Sequence, residues 1–386
     1  MEATAAGPRS AEVAVVGAGP GGLGVAAALR SSGIPAVILE RASSVGASWR
    51  GHYERLHLHT ARTLSGLPGL GIPRAAGTWV SRDDFVAYLE TYARHHGLDI
   101  RLGLEVHRLD PDGPRWRVET SAGALHFRAV VVATGQNCVP FIPSWPGREN
   151  FPGAFLHSSR FRSGEDHRGQ DVLVVGAGNS GAEIAVDLVE HGAARVSLSI
   201  RRPPNVVPRA VAGLVPAQFV SILLSRLPLA VADAFARATA RLTLGDLASL
   251  GLPHSERGIY TEMVRDRQIP IIDVGLVAAL RARRVHILPA VEGFEGRRAR
   301  LQGGGTVEPD AVIAATGYRA GLERLVGHLA VLGADGSPIV DRSLQAAPGL
   351  HFVGFSNPPT GNLRQMRIDA WRVARRLRQA SARAAA

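Results

Sequence analysis

An α/β fold built from two parallel-sheet units is what the sequence predicts, on three observations. A short apolar strand, residues 13–16, runs into Gly17-Ala18-Gly19-Pro20-Gly21-Gly22. Another, residues 172–175, runs into Gly176-Ala177-Gly178-Asn179-Ser180-Gly181. Ala133-Thr134-Gly135 and Ala315-Thr316-Gly317 each follow an apolar strand at the close of a unit. Both glycine runs read G-x-G-x-x-G between a strand and a helical segment (residues 23–29 and 182–189). In that setting the first glycine permits the tight turn, the second lets backbone approach a pyrophosphate, and the third lets helix pack on strand. The helix N-terminus adds unpaired N–H groups and a positive dipole end. Two such devices predict two Rossmann-like dinucleotide-binding domains, with electrons passed between the two dinucleotides.

The elements follow in order. After the first glycine loop, residues 36–39 form the second strand, ending in Glu40. Beyond an irregular segment, Ser81 and Asp84 make a capping box, Phe85, Tyr88, Leu89 and Tyr92 share one helical face, and Gly97 stops the helix. Strands are expected near 100–106, 116–119 and 127–132. The second unit repeats the order, with strands at 196–200, 285–288, 298–301 and 311–314. It adds an apolar, helix-prone insertion, about 203–253, whose Phe219, Val220, Leu223, Leu224, Leu227, Leu229, Val231 and Phe235 are expected to pack on the nucleotide domains and wall a substrate site. A membrane-surface helix is the other reading, and the basic face it needs is thin. The chain then returns: a strand at 350–353, a loop at 354–361 and a closing helix at 363–377. The second domain is thus inserted in the first: residues 1–160 and 326–386 form one, residues 161–325 the other.

Composition narrows the function classes. A chain of 386 residues can bury two cores. The lone Cys138 excludes an internal disulfide and a dithiol redox centre. No apolar leader is read at the N-terminus and no run of about 18 apolar residues occurs, so a cytoplasmic protein without an integral membrane segment is expected. The formal charge of +11 comes entirely from arginine, with no lysine and no interleaved aromatic residues, so nucleic acid is not expected as a partner. Arg372, Arg375, Arg376 and Arg378 read as a solvated helix face. No pair of histidines with convergent carboxylates suggests a metal, and no nucleophile elbow is present.

Charge at the strand ends assigns the nucleotides. Glu40 can accept hydrogen bonds from a ribose 2′-OH and repels a 2′-phosphate, which favours FAD or NAD in the first unit. Arg201 and Arg202 end the equivalent strand of the second unit, where they can pair a 2′-phosphate and favour NADPH.

Between the units, Phe151, Gly153, His157 and Phe161 spell F-x-G-x-x-x-H-x-x-x-F, and Asp310 to Tyr318 reads DAVIAATGY. With the two glycine motifs in this order, the chain resembles the class B flavoprotein monooxygenases over nearly its whole length. Tyr53 to Thr60 and Ile272-Asp273-Val274-Gly275 are most similar to the YUCCA-type flavin monooxygenases and their bacterial relatives. Phe161 stands where that fingerprint usually has Tyr or Trp, and His59 where many heteroatom oxygenases have a flavin-facing Asn. The loop Ser356 to Asn362 matches no one subfamily.

The resemblance implies FAD and NADPH as cofactors. Gly17, Gly19, Gly22 and Glu40 are expected at FAD, with Arg41 and Trp49 beside it. Gly176, Gly178, Asn179, Ser180, Gly181, Arg201 and Arg202 are expected at NADPH. Val106, Thr134, Gly135, Thr316, Gly317, Gly354, Gly361 and Leu363 complete the cofactor-binding set, and the loop from Gly354 to Leu363 aims a helix N-terminus at the flavin. His59, His157 and Asn357 are the candidate catalytic residues, His157 doubling as a hinge or NADP-positioning residue. The implied reaction passes a hydride from NADPH to FAD, forms a flavin hydroperoxide with O2 and transfers one oxygen atom to a small organic substrate. An amine, a sulfide, a ketone and a 2-oxo acid are all open, and the YUCCA-like features point toward an oxo acid or a small aromatic amine. A homodimer is the expected assembly. Three alternatives stand beside it: an NADPH oxidase or diaphorase, a nucleotide-binding redox sensor, and a disulfide reductase, which would need a second cysteine.

Overall fold

The structure is a computed structural model that describes residues 11–211 and 213–385. Residues 1–10, which begin the first expected domain and were read for a leader, lie outside the described residues, as do Ala212 of the insertion and Ala386. Two parallel sheets organise the chain. The first orders its strands Gln345–Ala347, Leu350–Phe352, Ala129–Val132, Val13–Val16, Ala36–Leu39 and Asp99–Arg101, all parallel except the first edge. The second orders Val285–Leu288, Arg195–Ser199, Asp171–Val175, Ala311–Ala314 and Ala154–His157, all parallel.

Unbroken apolar strands such as VAVV and AVVV are buried along their whole length because both sheet faces are covered. Helices Pro20–Ser31 and Asn362–Ala385 pack together on one face of the first sheet. An antiparallel sheet (Val106–Asp112, Arg115–Thr120, Gly123–Phe127) covers the other with Leu109, Trp116 and Phe127. The second unit does the same with helices Asn179–Glu190 and Leu276–Arg281 on one face. Its own antiparallel sheet (Val291–Glu295, Arg298–Leu301, Thr306–Val307) lies on the other. The repeat read from two glycine motifs is therefore a repeat of three layers.

Several expectations shift. The strand expected over 100–106 is two: Asp99–Arg101 closes the parallel sheet, Gly103 turns at φ 70°, and Val106 opens the antiparallel one. Ala154–His157 already pairs with Ala311–Ala314 in the second sheet, ahead of the expected boundary at 160. Leu322, Leu325 and Val326 pack in the first unit's core, so the chain returns before 326. The insertion does form helices, Ala217–Leu224 and Leu229–Leu244. Its bulky side chains divide: Leu224 is buried with Ile259 and Tyr260, and Val220 and Leu229 pack against them, whereas Phe219, Leu223, Leu227, Val231 and Phe235 are exposed, Leu223 at 64%. Ala217, Gln218, Ser221 and Ala236 face the interior cavity instead. Helical spacing located the helices, and the strands Val206–Pro208 and Ile271–Asp273 pair in parallel at the insertion's base. Among the described residues no helix is long and apolar enough to cross a membrane.

Candidate functional site

Both glycine loops adopt the turn their sequence demands. Gly17 and Gly176 have φ of 107° and 114°, a region closed to other residues without strain. A methyl on Gly22 would run into the Gly17 carbonyl, and one on Gly181 into that of Gly176, so these third glycines serve helix-on-strand packing. Gly19 and Gly178 differ: a Cβ there meets no atom within 4 Å. The chain thus leaves open space beside the second glycine of each loop, where a pyrophosphate must approach.

One cavity of about 1400 Å³ runs from the first loop to the second and on under the insertion. That exceeds the ~300–1,000 Å³ usual for one small ligand, so the space suits more than one ring system. Of the expected site residues, Gly17, Gly19, Glu40, Arg41, Trp49, Val106, Thr134, Gly135, Asn179, Ser180, Gly354, Gly361, Leu363, His59 and Asn357 line it. Gly22, Gly176, Gly178, Gly181, Arg201, Arg202, Thr316, Gly317 and His157 do not. Arg201 and Arg202 are exposed just past Arg195–Ser199, whose last carbonyl accepts from the Gly176 N–H at 2.9 Å.

Among the described residues, three that line the cavity carry a buried polar atom without a partner, Thr134 Oγ1, Asn362 Oδ1 and Arg209 Nε, the first two beside the first glycine unit. Buried polar groups seek hydrogen bonds, so those two atoms fit a bound polar ring or ribityl chain. Asn362 also opens the 24-residue helix Asn362–Ala385, whose N-terminus meets the cavity. The Glu40 carboxylate accepts from Ala18 N–H at 2.6 Å and Ala42 N–H at 2.8 Å, tying the strand end to the glycine loop. Residue chemistry and open space both fit FAD in the first unit.

Asn179 works differently from expectation. Its side chain donates to the Pro270 carbonyl at 3.1 Å and accepts from the Ile272 N–H at 2.7 Å, so it anchors the end of the insertion to the second loop. His157 is also spoken for. Its Nδ1 accepts from the Ser159 N–H at 3.1 Å, so Nε2 carries the proton and donates to the Gly317 carbonyl at 3.0 Å. Burial pushes its pKa down, partly offset by that carbonyl, and its ring packs edge-on to Tyr318. With both nitrogens held and no face on the cavity, His157 has the geometry of a neutral hinge pin rather than a proton carrier.

His59 does line the cavity. Its Nε2 bonds to Glu183, a carboxylate on helix Asn179–Glu190 that is only 3% exposed. Tyr53, also buried, faces the same carboxylate, and burial together with Glu183 drives its hydroxyl pKa well above the usual value. Nearby His52 is pushed down, chiefly by burial and further by Arg162 and Arg82. Residues 53–59 of the first unit are therefore clasped to the second unit's nucleotide helix through two of its acids, Glu183 and the Glu190 that pairs with Arg55.

Sequence reasoning missed Glu183, which sits two residues past the last glycine of the second motif and is buried. It also missed Gln218, whose Oε1 accepts from Ala61 N–H at 2.9 Å while Nε2 donates to the Thr360 carbonyl at 2.8 Å. Arg209 is the third. Its Nη2 donates to the Leu58 carbonyl at 2.7 Å and its guanidinium lies over the Trp79 ring at 4.2 Å. None belongs to a motif, and only their place on the cavity wall marks them. Among the described residues no cluster of His, Cys, Asp or Glu could hold a metal ion.

Comparison with known proteins agrees with this architecture. The family model described as pyridine nucleotide-disulphide oxidoreductase matches residues 14–214. The chain is 36% identical over 349 residues to indole-3-pyruvate monooxygenase YUCCA1 of Oryza sativa subsp. japonica, covering 89% of this chain and 86% of that protein. To the probable indole-3-pyruvate monooxygenase YUCCA1 of Arabidopsis thaliana it is 34% identical, covering 89% and 84%. Among solved structures, a mutant flavin monooxygenase from Stenotrophomonas maltophilia superimposes with a TM-score of 0.75 at 26% identity, covering 96% of this chain and 98% of that one.

Proposed function

The chain belongs to the class B flavoprotein monooxygenases, within the wider pyridine nucleotide-disulphide oxidoreductase family, and we propose that it oxygenates an aromatic 2-oxo acid in the cavity between its two glycine loops. It is an FAD- and NADPH-dependent monooxygenase acting on a small molecule and O2. The observation that carries the finer reading is the continuity of the cavity: Gly17 and Gly19, Asn179 and Ser180, and Gln218 and Ser221 of the insertion all border one space. Bound FAD supplies hydride acceptance and oxygen activation, chemistry no side chain can perform.

The chain's residues then have the following parts. Gly17, Gly19 and the start of Pro20–Ser31 take the flavin nucleotide's pyrophosphate, and Glu40 its ribose. Gly176, Gly178 and Ser180 take that of NADPH, with Arg201 and Arg202 on the 2′-phosphate. Thr134, Gly135, Gly354, Gly361 and Leu363 line the cavity where they would hold the flavin, and Asn357 and His59 line the same space. Glu183 positions His59, and His157 steadies the link between the units. The apolar walls from Val207, Ile259, Met263 and Ile272 keep water out, which limits loss of oxygen as peroxide.

The relatives named as indole-3-pyruvate monooxygenases support the 2-oxo acid class. A cytoplasmic location is supported by the lack of a membrane-crossing helix among the described residues. The exposed apolar side chains of the insertion support a homodimer. With indole-3-pyruvate in air, each NADPH consumed should yield one oxygenated product and almost no hydrogen peroxide. Peroxide equal to NADPH for this acid, and likewise for an aromatic amine, a sulfide and a ketone, marks an oxidase and ends the proposal.

A further inference from the structure

We propose that Arg209 is the residue that selects a carboxylate-bearing substrate, by pairing the substrate's carboxylate at the insertion side of the cavity. The inference rests on the monooxygenase reading above and extends it to one side chain.

Arg209 is a cation with no anion. Among the described residues no carboxylate lies within ion-pair distance of its guanidinium, whereas Arg50, Arg55, Arg82 and Arg257 each have one. Its Nε is sealed from solvent without a hydrogen-bond partner, and its Nη2 is committed to the Leu58 carbonyl. Nη1 is left to meet a ligand. Burial lowers its pKa to about 10, with Glu183 acting the other way and Arg55 adding to the lowering. Withdrawing a charge even partly from water without pairing it is costly, so the half-buried Arg209 is suited to an anionic partner brought by the ligand. Trp79 and the Leu58 carbonyl hold the guanidinium plane still, so little side-chain freedom is lost on pairing.

The position favours a substrate over a nucleotide. Arg209 lines both the large cavity, whose wall also includes the apolar Val207, Ile259 and Met263, and a smaller neighbouring cavity that contains Trp79 and Glu183. Each glycine loop already has its own helix N-terminus for phosphate, and Arg209 lies at neither. A phosphate of NADPH offers related anionic chemistry, and the experiment separates the two.

Calorimetric titration of the FAD-loaded enzyme with 3-(indol-3-yl)propionate and with its primary amide compares a charged and a neutral ligand of one shape. A charge-assisted hydrogen bond contributes about 1.5–3 kcal/mol, so the acid should bind at least about tenfold tighter than the amide. In Arg209→Met that ratio should fall to about one, with amide affinity kept and NADP+ affinity within about threefold of wild type. If Arg209→Met does not fold, Arg209→Gln, which retains a donor for the Leu58 carbonyl, is read by the same criteria. Equal binding of acid and amide by the wild type overturns the proposal. So does a ratio that survives the substitution, or a loss of NADP+ affinity as large as that of the acid, which would make the partner a nucleotide phosphate. These titrations involve no turnover, so they stand whether or not oxygenation of indole-3-pyruvate is later observed.

Discussion

Replacing single glycines in the first loop separates folding from cofactor binding within one motif. Gly19 has φ −82° and ψ −177°, ordinary extended backbone, and a methyl there touches nothing within 4 Å. Gly19→Ala should therefore leave the flavin-free protein as stable as wild type, or about 0.4–1 kcal/mol more stable through the stiffer unfolded chain. The same methyl occupies the space through which a pyrophosphate reaches the backbone N–H groups. Losing one charge-assisted hydrogen bond of about 1.5–3 kcal/mol weakens FAD about 10- to 150-fold. Gly22→Ala is the contrast. Its methyl collides with the Gly17 carbonyl and lies 3.3 Å from a Val15 methyl, so the fold itself loses about 1–3 kcal/mol or more. Urea unfolding of the deflavinated proteins measures the first quantity, and quenching of FAD fluorescence on titration measures the second. A flavin-free Gly19→Ala protein destabilised by more than about 2 kcal/mol, or one that binds FAD as wild type does, would refute the reasoning.

Three further outcomes are expected. Arg201→Ala should raise the KM for NADPH tenfold or more and leave that for NADH nearly unchanged; an equal loss for both removes the 2′-phosphate from that strand end. His351 is 1% exposed in a central strand, and burial lowers its pKa from 6.5 to about 4. The unfolded chain therefore binds a proton first as pH falls: this contribution is whole above pH 6.5 and is lost progressively down to about pH 4, amounting to about 3 kcal/mol. Urea midpoints across that window should fall in wild type and fall less in His351→Phe, and parallel profiles would count against it. Glu183→Ala leaves Tyr53 and His59 without their shared buried acid and should cost about 3 kcal/mol in urea unfolding, whereas a loss below about 1 kcal/mol would mean the clasp between the units is weak.

How much of this was readable beforehand follows from the range of the forces involved. The strands Val13–Val16 and Asp171–Val175, their glycine turns, the helices after them and the Ser81 cap all depend on residues within a few positions of one another. Apolar runs, positive φ and capping chemistry are local, and the sequence by itself determined them, along with the order of the two units and the lack of a dithiol. Tertiary structure alone decided which of those residues share a space. His59 and His157 look equivalent as lone histidines beside motifs, yet one meets Glu183 across the domain boundary and faces the cavity, while the other spends both nitrogens on Ser159 and Gly317. Asn179, expected at NADPH, has its side chain held by Pro270 and Ile272, and Arg209 pairs with Trp79 and Leu58 rather than an acid. The insertion divided its large side chains for the same reason: apolar spacing placed the helices, and only tertiary packing set Leu224 inside with Ile259 and Tyr260 and left Leu223, Val231 and Phe235 exposed. Contacts between residues far apart in the chain leave no local pattern, so the site's lining emerged only when both units were folded together.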